Sequence, residues 1–222
     1  MGNSFSYSSI TKKIIMSLAG LFLISFLLVH LGINLLVIFD STYEKFNAAA
    51  HFMATNPLIQ IFQWVLFIGF IIHIIYGIIV QLQNWSARPV KYQKKGYSEL
   101  SYFSKFMIHT GVIVFVFLVI HFANFFIVAK FGHVKEITYG SETYENLGAL
   151  IVALFKIGWY VVFYVFAILL MGFHLQHGIQ SAFQSLGLNH WRYTPVIKTI
   201  GTVLSVVITL GFIAIPLVIY FS

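Results

Sequence analysis

Along this chain, long stretches of uninterrupted apolar residues alternate with short segments that hold nearly all the charge. Five such stretches predict helices, at roughly 14–39, 58–83, 106–129, 149–184 and 196–221. A bilayer is spanned by about 20 consecutive apolar residues, and each run reaches or exceeds that length. The first begins after Lys12 and Lys13 and stops before Asp40; at about 26 residues it is too long for the apolar core of a signal peptide and is expected to stay in the mature protein. The second follows Asn56 and Pro57, a favourable helix start. The third lies between Lys105 and Lys130. The fourth is unusually long, so its first turns, around Lys156, are expected at the interface. The fifth opens at Pro195 and carries Pro216 as a possible kink.

Composition turns this pattern into a class. Of 222 residues, 59% are hydrophobic and 9% charged, against about 25% charged in an ordinary soluble domain. The pattern predicts an all-α integral membrane protein, a single transmembrane domain built as a five-helix bundle with no room for a separate soluble catalytic domain. Membrane lipid is its first partner. The absence of cysteine excludes a disulfide framework, a thiolate zinc site, an iron–sulfur cluster ligated by this chain and a covalently attached c-type haem.

The net charge of +7 does not read as nucleic-acid binding, because the basic residues flank apolar runs. One set of connections holds Lys12, Lys13, Arg88, Lys91, Lys94, Lys95, Lys105, Arg192 and Lys198; the other holds Lys45, Lys130, Lys135 and Lys156. The second set also carries Asp40, Glu44, Glu136, Glu142 and Glu145. The positive-inside rule then predicts a cytoplasmic N-terminus and a cytoplasmic 84–105 loop in a multi-pass membrane protein.

Nine histidines in so apolar a chain demand an account. An ionisable side chain inside a span is costly and needs a partner or a function. His30, His73 and His121 lie in the first three spans, and His174 with His177 in the fourth; His109 is near the inner end of the third span, and His51, His133 and His190 are in loops. At about 1.5 Å of rise per residue, His30 and His121 lie about 15 Å from the outer ends of their helices. On the same scale His73 and His174 lie about 12–15 Å from the inner ends. Four helices thus carry two depth-matched pairs, the arrangement of two bis-histidine b-type haem sites with irons held by His30/His121 and His73/His174. Gly32, Gly69, Gly77, Gly172 and Gly178 are small neighbours that leave room for a flat macrocycle, and Asn34 and Asn124, at i+4 and i+3 from His30 and His121, are placed to hydrogen-bond those imidazoles or to make helix contacts. A lone intramembrane histidine is more often a helix–helix hydrogen bond than a haem ligand; the matched set of four carries the reading.

Five spans with ligands on the first four, and the run Phe173-His174-Leu175-Gln176-His177-Gly178-Ile179-Gln180-Ser181-Ala182-Phe183-Gln184-Ser185-Leu186-Gly187, resemble the dihaem cytochrome b subunit of succinate dehydrogenase and fumarate reductase, the b558-type single-anchor class. The resemblance covers essentially the whole chain. Its most specific piece is His-x3-Gly-x8-Gly, met by His174, Gly178 and Gly187, which selects His174 over His177 as ligand; Leu188-Asn189-His190-Trp191-Arg192-Tyr193-Thr194-Pro195 is similar to the family's segment before the last span.

The resemblance implies a membrane anchor, in the respiratory chain and the tricarboxylic acid cycle, for a flavoprotein subunit and an iron–sulfur subunit that carry the succinate/fumarate chemistry. Electrons would pass from the iron–sulfur subunit to the His73/His174 haem, then to the His30/His121 haem, and to a quinone, with menaquinone favoured over ubiquinone by family habit. It also implies a quinone site near the outer haem with a carboxylate of the first outer loop, here Glu44 with Asp40 behind it. Some relatives carry a glutamate two residues before the fourth-span ligand; this chain has Gly172, so a proton route through that position is not expected. Haem propionates need cationic or hydrogen-bonding partners, for which Arg88, Lys105 and His177 are the inner-side candidates and Lys156 the outer-side one.

Other readings are the cytochrome b subunit of a membrane nitrate reductase, hydrogenase or formate dehydrogenase, which place ligands on fewer helices; a small transporter or proton channel with a histidine relay; and a structural anchor without haem. Against transport, the spans lack internal repeats, broken-helix signals and membrane carboxylates.

Overall fold

The computed structural model describes the backbone of residues 9–86 and 99–222. It is 84% helical, and five of its helices are long and apolar enough to cross a membrane. The chain runs α1 (Ser9–Phe39), α2 (Glu44–Thr55), α3 (Pro57–Ser86), α4 (Glu99–His121), a π-helical segment (Phe122–Ile127), α5 (Val128–Phe131), β1 (Glu136–Tyr139), β2 (Glu142–Glu145), α6 (Leu147–Phe155), α7 (Gly158–Ser185) and α8 (Thr194–Phe221).

Large apolar side chains cover the outside of the bundle, among them Ile61, Ile68, Val119, Val162, Val203 and Leu210, as expected where the surrounding solvent is hydrocarbon. The best-buried core lies along α7 and α8, where Tyr160, Tyr164, Ile168, Ile208 and Ile215 meet Leu31 and Val37 of α1. Lipid supplies little hydrophobic drive between helices, so close approach depends on small residues and polar links. Gly172 of α7 is an example: a Cβ there would lie 2.3 Å from Thr209 Oγ1 of α8. Gln176 Nε2 donates to Thr202 Oγ1 at 3.1 Å across the same interface. Ser205 and Thr209, buried on α8, return their hydroxyl protons to carbonyls one turn earlier.

Four of the spanning helices form a ring. α1 packs on α3 and on α7, and α7 packs on α4, while α3 and α4 touch only slightly among the described residues. The diagonals, α1 to α4 and α3 to α7, have no substantial packing. α8 fills the notch outside α1 and α7.

Two segments depart from the hydrophobic pattern. The fourth apolar run, expected as one helix over 149–184, is broken at Lys156–Ile157 into α6 and α7. Ile157 is extended (φ −90°, ψ 109°), and α6 buries Gly148, Ile151 and Phe155. The physical reason is length: the uninterrupted run would be about 54 Å long at about 1.5 Å per residue, well beyond a hydrocarbon core of about 30 Å. The polar stretches 40–56 and 132–146, read as loops, contain α2 and a β1–β2 hairpin that pairs Glu136 with Glu145 and Tyr139 with Glu142 around a left-handed Gly140.

These pieces form a cap held by Asn47, which is 1% exposed. Its Nδ2 donates to Tyr139 Oη and to Asn146 Oδ1, and its Oδ1 accepts from the Gly148 amide at 2.9 Å. Tyr43, before α2, has φ 63°, and Gly148 has to be glycine because a Cβ there would stand 2.5 Å from Tyr43 Cβ.

At the opposite end α7 stops in a Schellman motif. Leu188 N donates to Phe183 O and Gly187 N to Gln184 O, with Gly187 left-handed at φ 81°. The last glycine of the His-x3-Gly-x8-Gly pattern is therefore a helix terminator. Gly178 in the middle of the pattern has open space at its Cβ position. α8 runs on through Pro216.

Candidate functional site

The structure brings the intramembrane histidines together across both diagonals of the ring. His30 of α1 and His121 at the end of α4 have ring centres 5.7 Å apart with planes at 85°. His73 of α3 and His174 of α7 have ring centres 6.3 Å apart at 78°. All four side chains are partly buried.

Each ring is oriented through the same nitrogen. Nδ1 of His73 lies 3.3 Å from the Met16 carbonyl, Nδ1 of His174 lies 3.3 Å from Thr110 Oγ1, and Nδ1 of His121 lies 3.3 Å from Tyr164 Oη. Nδ1 of His30 is 3.5 Å from Asn34 Nδ2, which donates to the His30 carbonyl at 2.8 Å. Among the described residues no hydrogen bond uses Nε2 of these four rings, and no sealed side-chain nitrogen or oxygen lacks a partner.

The walls of the two pairs differ. Around His30 and His121, the pair expected toward the outer face and so called the outer pair, Phe26 stacks on His30 at 5.2 Å, Phe212 lies 5.8 Å from it, and Phe117 and Phe125 lie 5.6 and 5.1 Å from His121. Around the inner pair the neighbours are glycines: a Cβ on Gly20 of α1 would stand 3.2 Å from His73 Cε1, and one on Gly111 of α4 would stand 3.5 Å from His174 Cε1. Sequence reading missed both, because it looked for small residues beside each histidine on its own helix, whereas these act from the facing one. Of the glycines it did single out, Gly69 packs on Phe22 and Gly172 on Thr209, so these serve helix packing; Gly32 and Gly178 face open space, and Gly77 is within 4.0 Å only of Met16 Sδ.

The donor set can be tested for fit. Among the described residues no group of three or more His, Cys, Asp or Glu is placed to hold a metal ion. Two imidazoles alone are too few for a closed zinc or copper site, but they are the full axial set for an iron whose equatorial ligands come from a macrocycle. Two nitrogens sharing one metal at about 2 Å each set the ring centres about 6 Å apart. Nδ1 of His73, His121 and His174 also faces an oxygen able to accept from it, as a ligating histidine requires, whereas Nδ1 of His30 faces the amide nitrogen of Asn34. The residues fit.

The remaining predicted positions scatter. Glu44 is exposed at the start of α2. Asp40 is engaged in the cap: its carboxylate accepts from Thr42 Oγ1 at 2.6 Å, from Thr42 N and from Lys45 N. The Thr42 side-chain hydrogen bond, then the Lys45 and Thr42 backbone amides, hold the Asp40 carboxyl below its usual range. Lys156 is exposed at the α6–α7 break, next to Phe155, whose ring lies 5.1 Å from that of Tyr164. His177 is half-buried on the turn after His174. Arg88 and the side chain of Lys105 lie outside the described residues. Asn124 does not reach His121; its Nδ2 donates to Tyr160 Oη at 3.0 Å. An apolar groove between α1, α7 and α8, lined by Leu21, Ile24, Ile179, Phe183 and Leu204, lies apart from both pairs.

Helix geometry also changes at the outer pair. Directly after His121 the helix widens into the π-helical Phe122–Ile127. Such insertions are frequent at functional sites because the extra residue per turn re-aims side chains. Here the widened turn carries both Asn124 and Phe125.

Comparison with protein-family models, with curated proteins and with solved structures finds no match to this chain. What stands on structure alone is the class: a multi-pass, all-α membrane bundle with five spanning helices.

Proposed function

We propose that this chain is the dihaem cytochrome b membrane anchor of a succinate:quinone oxidoreductase, with its N-terminus on the cytoplasmic side of a bacterial inner membrane. The observation that carries the reading is the pair of diagonal imidazole couples, each with ring centres about 6 Å apart on helices that otherwise hardly touch. Three of the rings also bond to a third helix through Nδ1, and in neither couple do the two rings bond to each other among the described residues. His30 and His121 would hold one haem b, and His73 and His174 the other. Bound at both levels, haem b supplies the one-electron chemistry that the side chains of this chain lack, which a conduit between an iron–sulfur subunit and a membrane quinone requires.

The chain's own contribution is positioning. The Met16 carbonyl, Thr110 and Tyr164 fix three of the four ring orientations, and the low-polarity walls exclude water. The flavoprotein and iron–sulfur subunits, the succinate/fumarate chemistry and menaquinone are what the sequence resemblance implies; the lack of cysteine means only that any iron–sulfur cluster would be ligated by another chain. Of the two carboxylates considered for the quinone, Glu44 is the one left free by the cap.

Reduced-minus-oxidised spectra with a pyridine haemochrome count on the purified chain test this directly. Two haems b per chain are expected; none would sink the reading, and one would sink the two-pair version. His30→Leu and His73→Leu should each remove a different haem. In native membranes succinate should reduce both; reduction by hydrogen or formate instead would favour another respiratory cytochrome b.

A further inference from the structure

Four groups between α4 and α7 are linked end to end. Asn124 Nδ2 donates to Tyr160 Oη at 3.0 Å, Tyr160 Oη donates to Tyr164 Oη at 2.9 Å, and Tyr164 Oη lies 3.3 Å from His121 Nδ1. Tyr160 and Tyr164 are each 3% exposed, one turn apart on α7, with ring centres 4.6 Å apart. The other three rings lack such a chain: His73 meets a backbone carbonyl, His174 a threonine hydroxyl already bonded to its own helix, and His30 an asparagine one turn away.

The direction of the chain has a chemical consequence. With Asn124 presenting Nδ2 to Tyr160, each hydroxyl can give its hydrogen toward His121; in that arrangement Tyr164 donates to Nδ1 and the imidazole hydrogen is on Nε2. A neutral imidazole with hydrogen on Nε2 cannot ligate through that atom. Ligation needs the hydrogen on Nδ1, which then donates to Tyr164. Tyr164 in turn donates to Tyr160, and Tyr160 must find an acceptor at the end of the line. Asn124 supplies one: turning its amide over presents Oδ1 in place of Nδ2. The change is an imidazole tautomer shift, two hydroxyl rotations and one amide turn, with no net gain or loss of protons.

We infer that Tyr164, Tyr160 and Asn124 are positioning residues for His121, a hydrogen-bond chain that reverses direction when Nε2 takes a ligand and strengthens that ligand from behind. The inference rests on the haem reading proposed above. Accepting the Nδ1 hydrogen makes an imidazole a stronger donor, which favours the oxidised metal; losing the acceptor favours the reduced one.

The test is a redox titration of the full chain in its complex, following the two haems separately, with Tyr164→Phe, Tyr160→Phe and Asn124→Leu. Tyr164→Phe should retain both haems and lower the oxidised-to-reduced ratio of the outer one about tenfold at fixed potential, an upward shift of about 59 mV for a one-electron couple. Tyr160→Phe and Asn124→Leu should shift it in the same direction by less and serve if Tyr164→Phe fails to assemble. The His73/His174 haem should not move in any of them. Two haems present with no shift, or with equal shifts of both, would overturn this inference alone; a wild-type chain that binds no haem would overturn it together with the reading beneath it.

Discussion

The outer and inner histidine pairs meet the same demand by opposite packing. Around His30 and His121 the space is framed by broad rigid rings, Phe26, Phe117, Phe125 and Phe212, which are themselves shaped like walls of a slot. Around His73 and His174 the space comes from deletion, with Gly20 and Gly111 on the facing helices presenting bare backbone. The outer site is thus built from what is present and the inner from what is missing. They should fail differently: the inner site is intolerant of added atoms, whereas the outer one depends on polar parts around it.

The largest effect that would sharpen this contrast comes from Gly20→Val and Gly111→Val. The first added carbon at Gly20 would already press on His73 at 3.2 Å, while at Gly111 it is the branched γ carbons that crowd His174; overpacking of about 1–3 kcal/mol corresponds to about a 5- to 150-fold loss of affinity. On the haem reading proposed above, the haem at His73/His174 should be weakened or lost while the one at His30/His121 persists; equal loss of both would break the comparison.

A middle-sized effect is expected from Asn47→Ala. It leaves the Gly148 amide, Tyr139 and Asn146 without their shared partner, a cost of about 1–3 kcal/mol concentrated in the outer cap. Hydrogen exchange should speed up over 40–56 and 136–157 and stay unchanged near His73 and His174.

The smallest effect concerns Asp40. Its carboxyl is held below the ordinary 3.8 by the Thr42 hydroxyl, then by the Lys45 and Thr42 amides, so the stabilisation is fully present above that value. It is lost as pH falls through the lowered value. Exchange of the Thr42 and Lys45 amides should accelerate only below pH 3.8, and Asp40→Asn should remove that dependence. Acceleration between pH 5 and 7 would refute the assignment.

The five spans were legible because hydropathy is a property of composition over about 20 residues, and nothing longer-ranged is needed to see it. The levels of the four histidines were legible for a similar reason, since depth follows from counting residues to a polar helix end. What stayed hidden depends on partners or on hydrogen-bond register. The break at Lys156–Ile157 interrupts a run that is apolar on both sides. The π-helical turn after His121 changes which carbonyl each amide meets without changing composition. Gly20 and Gly111 matter only across a helix interface. Tyr160 and Tyr164, within an apolar run, were indistinguishable from lipid-facing aromatics until α7 and α4 were seen together. Asn124 was noticed as a neighbour of His121, yet its bond goes to Tyr160, because the widened turn re-aims it.

The two pairs are interleaved along the chain: His30 closes on His121, and His73, lying between them, closes on His174 beyond. As a matter of connectivity, a nick between Ser86 and Glu99 severs both pairs, and neither half of the chain would keep a complete one. During synthesis the outer couple has both members once the third span is made, while the inner waits for the fourth. The two levels are therefore completed in sequence, and truncation or domain exchange at the midpoint of this protein would divide both.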